Sequence, residues 1–444
     1  MALHHPEHLV ALGVEELGQV TAVLAGDAGD EGAGHGTPLL GGLARWGRPR
    51  GRRSSLLGCL PRRPGATGRA ATGASVRRVG EASVRVAFDV GPLSGRRTGI
   101  GAGVAELERT LAVDDRVELV RYLLSFRADP QPGVTRFPIP AAVAHRCWSR
   151  LDRPRADRWL AADVIHGTNY VVPPSRTPRL VSVYDCWFLR HPDQAHPDVV
   201  RAGRVLRRQV ARGAVVHASS GATADAVREL LPGAEVHVVH LAPLPLPEPA
   251  DRCPIAELDG RDFVLSVATI ERRKNLPQLV QAFGLVAAEH PELRLVLAGG
   301  DGDDRPAVDA ALDALPPDAG ARVLLTGYVT DPVRAWLLRH ARVLAYPSRD
   351  EGFGFPLLDA MTSGLPIVAT RAGSIPEVAA DAAVLVDVDD VDGLATAIGS
   401  VLTDDALRSG LVAAGARRRD ELTWTATADG LVGLYRALAT GGRR

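Results

Sequence analysis

At 444 residues, with 46 % hydrophobic content and a formal net charge of zero, the chain has material for two to three domains and lacks the basic excess of a nucleic-acid binder. Aromatic residues make up only 5 %, too few for stacking platforms along a single strand. Four scattered cysteines (Cys59, Cys147, Cys186 and Cys253) with no Cys-x-x-Cys pair argue against a disulfide framework or a structural zinc and fit a reducing compartment.

The N-terminal stretch has no basic n-region and too short an apolar run for a signal peptide. No run of about 18 apolar residues occurs anywhere, so no transmembrane helix is expected. Residues 1–82 are rich in Gly, Ala and Arg, with ten arginines and no acidic residue between Arg45 and Arg78. Such a stretch buries too little apolar surface to offset its ordering entropy. It reads as a disordered tail, or as upstream sequence that is not translated in the cell, with a start read at a valine such as Val84. An arginine-rich arm on anionic lipid headgroups is the competing reading.

From Val84 onward, short β-branched runs alternate with helical stretches. Strands are predicted at 84–90, 117–123, 163–166, 180–185, 214–219 and 236–241, with a helix over 101–111. Loops around 123–160 are irregular. A proline-rich segment, 243–250, breaks the chain and reads as a linker. A second series of strands follows at 263–268, 293–299, 322–327, 342–348, 366–370 and 383–387. Continuous apolar strands alternating with helices imply parallel sheets covered on both faces. The fold class is therefore α/β, with two doubly wound, Rossmann-like domains facing a central cleft. The boundaries fall at 83–245 for the first domain, 246–254 for the linker and 255–423 for the second domain. A last helix within 424–444 carries Ala428, Leu431, Leu434, Tyr435 and Leu438 on one face, and needs a partner surface.

Two features carry chemistry. The chain holds 51 arginines and one lysine, Lys274, in Glu271-Arg272-Arg273-Lys274-Asn275 directly after a predicted strand. A compact, rotatable ammonium binds phosphate as a point charge, which the planar guanidinium fork does not. The second feature is Glu351-GFGFPLL-Asp359. A strand ends, glycines let backbone approach a ligand, and a helix starts near Phe355 with Pro356 in its first turn. The helix N-terminus suits a phosphate. Carboxylates beside a phosphate are repelled unless they accept bonds from sugar hydroxyls, so Glu351 and Asp359, projecting to one side, suit a nucleotide sugar. An ordinary acidic cap after a glycine turn is the plain alternative for Glu351 alone.

This segment resembles the E-x7-E motif of glycosyltransferase family 4, retaining enzymes of the GT-B fold. Thr269-IERRKNLPQLVQAF resembles the phosphate-binding turn of that family, and Leu297-AGGDG and Thr326-GYVTD the segments after its next two strands. Ser374-IPEVAADAAVLVD and the Trp424 helix resemble its C-terminal part. Arg97-TGIGAGVAEL, His166-GTNY and Val183-YDCWFLRHP resemble its first domain, so the likeness covers about 84–440. It implies an acceptor-binding first domain, a nucleotide-sugar-binding second domain and a last helix crossing back to the first. Arg273 and Lys274 would hold the donor diphosphate and stabilise the leaving group, assisted by backbone N–H groups at Gly354 and Phe355. Glu351 would bind sugar hydroxyls, Asp359 the ribose, and backbone at Tyr328 and Val329 the base. Gly99 and Gly101 would close the site, with Tyr184 and Asp185 at a strand end beside the donor sugar. No metal and no cofactor are implied, Asp301-Gly-Asp-Asp reading as a solvated turn.

Two positions depart from the family pattern. Asp359 stands where the family has Glu, one methylene longer, and Tyr184 where it has His. The expected activity is metal-independent transfer, with retention, of a hexose such as mannose from a nucleoside diphosphate sugar to a glycan or lipid-linked glycan. Bacterial surface polysaccharide synthesis is the expected setting, in the cytoplasm with peripheral contact at the inner face of the membrane. Arginines 201, 204, 207, 208 and 212 on one predicted helix are the sequence feature for that contact. A non-catalytic nucleotide-sugar binder, or an epimerase or phosphorylase on the same fold, are the competing readings. His191, His196, His217, His237 and His240 read as surface or satisfied core groups.

Overall fold

The computed structural model describes residues 83–94, 98–124 and 132–441. The extension at 1–82 and Arg97 lie outside them.

Seven strands form the first sheet: β1 (Val84–Asp89), β2 (Val117–Leu123), β3 (Thr135–Arg136), β4 (Val164–Gly167), β5 (Arg179–Val183), β6 (Val215–Ala218) and β7 (Val236–Val238), ordered β3-β2-β1-β4-β5-β6-β7. Six form the second: β8 (Phe263–Val267), β9 (Arg294–Ala298), β10 (Val323–Gly327), β11 (Val343–Tyr346), β12 (Ile367–Thr370) and β13 (Ala383–Val386), ordered β10-β9-β8-β11-β12-β13. Every strand pair is parallel. The central strands are buried along their whole length, which is why they read as unbroken apolar runs. In each sheet the strand order reverses between the first and fourth strand. This switch point opens a crevice at the carboxyl ends, where ligands of doubly wound sheets bind.

Within the span read as irregular loop, residues Ala141–Trp148 form a helix, and Trp148 is fully buried. Two turns without a side-chain cap give too weak a pattern to find by periodicity. Strand β3, two residues long, is equally invisible. No helix among the described residues is long and apolar enough to cross a membrane.

The last helix, Trp424–Gly441, packs on the first sheet and on the helix Gly99–Ala112. Ala428, Leu431, Val432 and Tyr435 are buried there, each large side chain contributing about 1.5–3 kcal/mol. At its start, the Trp424 indole N–H donates to the Pro243 carbonyl at 2.8 Å and the Thr427 hydroxyl to the His240 carbonyl at 2.8 Å. The linker and the helix are thereby fastened together.

A directed chain of hydrogen bonds runs beneath this helix. His217 Nε2 lies 3.0 Å from the Val239 carbonyl, which only accepts, so Nδ1 of His217 accepts from the Ser182 hydroxyl at 2.8 Å. Ser182 then accepts from His166 Nε2 at 2.8 Å, and His166 Nδ1 accepts from the Tyr435 hydroxyl at 2.7 Å. Burial holds both imidazoles neutral, His217 pulled down to about 4 and His166 likewise well below its ordinary value. Replacing Tyr435 by Phe orphans a buried acceptor and is expected to cost about 1–3 kcal/mol in urea unfolding. A group with depressed folded pKa contributes full stability above its unfolded value of 6.5 and loses it as pH falls toward about 4. Urea midpoints measured across that window should fall with pH, and less steeply in His217→Gln.

Candidate active site

The two loops that leave β8 and β11, on either side of the second switch point, build the site. After β8 the chain makes a 3-10 turn, Arg272–Lys274. It exits through Asn275 in the left-handed region (φ 54°), whose side chain is held by Gln278 and Asp389. After β11 the chain passes Ser348 and Glu351 and enters the helix Phe355–Ser363 through Gly354 at φ 93°, a conformation glycine adopts without strain. The loops are tied by the Arg349 N–H donating to the Arg273 carbonyl at 2.8 Å.

Their side chains meet in a buried ion cluster. Lys274 Nζ donates to Glu351 Oε1 at 2.6 Å, and Arg273 Nη1 to Glu351 Oε2 at 2.8 Å. Lys274 also reaches the Tyr346 hydroxyl at 3.1 Å, and Arg273 the Asp350 carbonyl at 3.2 Å. Only 6 % of the Glu351 side chain is exposed, against 12 % and 17 % for Lys274 and Arg273. Burial alone would push the Glu351 carboxyl up, but Lys274 and Arg273 beside it hold it at about 2. Burial and Arg273 pull Lys274 down, with Glu351 opposing. Two cations therefore enclose one carboxylate beside a helix N-terminus, and Glu271 stands 3.7 Å from Arg273 on its other nitrogen.

Asp359 has a cationic partner that the sequence does not announce. Its Oδ2 accepts from Arg334 Nη1, on the helix Asp331–His340, so each acid has its own cation. Oδ1 of Asp359 is buried and has no partner. Burial pushes this carboxyl up to about 6, with Arg334 opposing. Arg334 escaped the sequence reading because Asp331 three residues earlier makes it look like half of an exposed helical pair; that pair exists, but only at 3.6 Å.

The first domain closes on this loop. Thr98 caps the helix Gly99–Ala112 by accepting from the Gly101 N–H at 3.2 Å. A Cβ on Gly101 would lie 2.7 Å from the Pro92 carbonyl, and Cβ atoms on Gly99 and Gly103 would lie 3.6 and 3.1 Å from the Phe355 ring. The glycine face of this helix is thus where Phe355 seats. Gly352 is closer still, since a Cβ there would lie 1.6 Å from the Tyr184 carbonyl. Three hydroxyls, Ser219, Ser220 and Thr223, surround the Gly352 carbonyl at 3.0, 2.8 and 3.2 Å. Beside them, Glu377 accepts from the N–H groups of Gly221 and Ala222 at 2.8 and 3.3 Å and from His240 at 2.6 Å, so His240 belongs to this junction rather than to the surface.

Tyr184 needs correction as a ligand-facing residue. Its ring is buried against Tyr170, and its hydroxyl donates to the Thr168 carbonyl at 2.7 Å, so it packs beneath the cleft. Asp185, next in sequence, does line the cleft. With Trp187, His191, Asp350 and Glu351 it borders a space of about 370 Å³. Burial first, then Asp185, raises the Asp350 carboxyl, an acid the sequence reading did not single out. Trp187 and His191 overlap there with ring centroids 4.0 Å apart. Tyr328 and Val329 sit in the loop after β10, which Gly327 turns at φ 64°; Tyr328 is exposed and Val329 half-buried. In Asp301-Gly-Asp-Asp, Asp301 pairs with Arg305 at 2.7 Å and Asp303 with Arg272 at 3.7 Å. Among the described residues no group of three His, Cys, Asp or Glu side chains is arranged to hold a metal ion.

The profile of the family described as glycosyl transferases group 1 matches residues 248–418, the segment that carries every charged residue of the ion clusters above. The O-antigen chain mannosyltransferase B of Escherichia coli is 27 % identical over 80 % of this chain and its own whole length. The phosphatidyl-myo-inositol mannosyltransferase of Mycolicibacterium smegmatis is 29 % identical over 41 % of this chain and 47 % of its own length. Among solved structures, the sucrose-phosphate synthase of Thermosynechococcus elongatus superposes with a TM-score of 0.62 at 20 % identity, covering 81 % of this chain and all of that one. The Anabaena protein Alr3699/HepE, solved with UDP and glucose, gives 0.59 at 16 % identity, covering 80 % and 100 %. Residues 248–418 are a group 1 glycosyltransferase domain, and the chain is a glycosyltransferase of the GT-B fold.

Proposed function

We propose that the chain transfers a hexose, mannose in the first instance, from a nucleoside diphosphate sugar to a hydroxyl of a glycan or glycolipid, with retention and without a metal. The observation that carries this reading is the Lys274–Glu351–Arg273 cluster at the start of the Phe355–Ser363 helix. Two fixed cations and a helix N-terminus make a receptor for a diphosphate and for the charge that grows on it as the glycosidic bond breaks. The N–H groups of Gly354 and Phe355 add donors at the helix end. The mannosyltransferase names of two relatives support the choice of sugar and the setting in surface glycan or glycolipid synthesis.

Asp359 supports the nucleoside end of the reading. Its Oδ1, buried without a hydrogen-bond partner while Arg334 takes Oδ2, is an acceptor that a hydroxyl donor such as a ribose would satisfy. In the transfer itself, the bond from the anomeric carbon to the diphosphate oxygen breaks. The acceptor oxygen bonds the same face, and its proton passes to the departing phosphate. Asp185, Asp350 and the Trp187–His191 pair border the space in which the acceptor would sit.

Lys274→Ala is expected to lower kcat by about 10²–10³, as loss of one preorganised donor does, with the circular-dichroism spectrum unchanged and EDTA without effect on the wild type. Unchanged turnover from GDP-mannose, UDP-glucose and UDP-N-acetylglucosamine would sink the assignment, and donor binding without turnover would favour a binding protein. The ionised form of Asp359 is the one with an acceptor to offer, and its carboxyl titrates near 6. Donor KM should therefore rise as pH falls through about 6, and this arm should vanish in Asp359→Asn. A flat profile in the wild type would remove Asp359 from the donor site.

A further inference from the structure

Most arginines of the described residues stand within 4 Å of a carboxylate. Even on the arginine-rich helix Pro197–Ala211, Arg201 faces Asp198, and Arg208 shares Asp152 with Arg212 just beyond the helix. Three of the five arginines that suggested membrane contact thus face a carboxylate. One hollow departs from this rule. Arg153, Arg155, Arg158 and Arg176, with Pro154 and Asp157, line a space of about 440 Å³. Among the described residues, none of these four guanidinium groups makes an ion pair within 4 Å.

The one carboxylate in the lining is engaged by the wall itself. Oδ1 of Asp157 accepts from the Ser175 hydroxyl and from the Arg176 N–H, the latter at 2.9 Å. The frame is fixed from behind. The indole N–H of buried Trp148 donates to the Pro154 carbonyl at 3.0 Å. The N–H of buried Ala156 donates to the Pro174 carbonyl at 2.9 Å. Like charges held together on a rigid frame repel, and the one carboxylate among them, Asp157, feels the charge of Arg155.

The hollow is separate from the active site. Residues 149–163 lead into β4 and 172–178 into β5, so it lies at the amino ends of parallel strands whose carboxyl ends face Gly352. Its volume falls in the range of about 300–1,000 Å³ typical of small-molecule sites. Guanidinium forks match phosphate oxygens in bidentate geometry. We propose that this hollow binds a phosphate-bearing anion, either a diphosphate-like small molecule or the phosphate of a lipid headgroup.

The test uses the full chain carrying Lys274→Ala, which weakens the catalytic diphosphate site, and inorganic pyrophosphate as probe in isothermal titration. Saturable binding is expected, weakened about tenfold or more when Arg155→Ala and Arg158→Ala are added, as loss of charge-assisted pairs implies. Arg155→Ala/Arg158→Ala in the otherwise native chain should keep its spectrum and its donor turnover, which checks folding. Co-sedimentation with phosphatidylglycerol and with phosphatidylcholine vesicles separates the sources. Arginine-dependent binding to the anionic vesicles, competed by pyrophosphate, assigns the lipid headgroup; pyrophosphate binding without vesicle binding assigns a soluble ligand. Absence of saturable pyrophosphate binding in Lys274→Ala, or an affinity indifferent to the two arginines, overturns the proposal.

Discussion

A carboxylate buried to the extent of Glu351 persists only if its charge is met on both oxygens. Removing both cations would leave an uncompensated charge in a dry site, at a cost of about 3–5 kcal/mol. This requirement joins the loop after β8 to the loop after β11 across the switch point, and it fixes Lys274 and Arg273 before any ligand arrives. It also accounts for the one lysine in a chain of arginines. Arg273 serves the carboxylate and the Asp350 carbonyl from Nη1 and turns Nη2 toward Glu271, whereas Lys274 threads a slender stem to a point between Glu351 and the Tyr346 hydroxyl. A guanidinium is broader and planar at its head, and that point is enclosed.

The second acid obeys the same rule by another route. Asp359, shorter than the glutamate of the family pattern, meets Arg334 with one oxygen and leaves the other bare. The two acids of the motif thus take separate partners, Lys274 and Arg273 for Glu351 and Arg334 for Asp359.

The sheets were legible because buried parallel strands write themselves as apolar runs such as Phe263–Val267 and Val343–Tyr346, and the glycine turn before Phe355 announced a helix start. Lys274 and Glu351 stood out by rarity and by motif. What stayed hidden depends on contacts far apart in sequence. Arg334 reaches across 25 residues to Asp359, the Tyr184 hydroxyl turns inward to Thr168, and Ser219, Ser220 and Thr223 find a carbonyl more than 125 residues away. Local spacing carries no record of such pairings. Small elements, β3 and the Ala141–Trp148 helix, were missed for the opposite reason: too few residues repeat for a period to show.

The Gly352 carbonyl, gripped by three hydroxyls of the first domain, is one peptide away from Glu351. The segment proposed to meet the donor is therefore also a latch between the domains. Occupancy of the cleft and engagement of the latch are then linked functions in the thermodynamic sense, each altering the free energy of the other by an equal amount. An acceptor that favours the latched arrangement tightens the donor by the same factor that the donor tightens it. Cooperative binding of the two substrates, in either order, would follow from a single carbonyl group, without a dedicated moving lid.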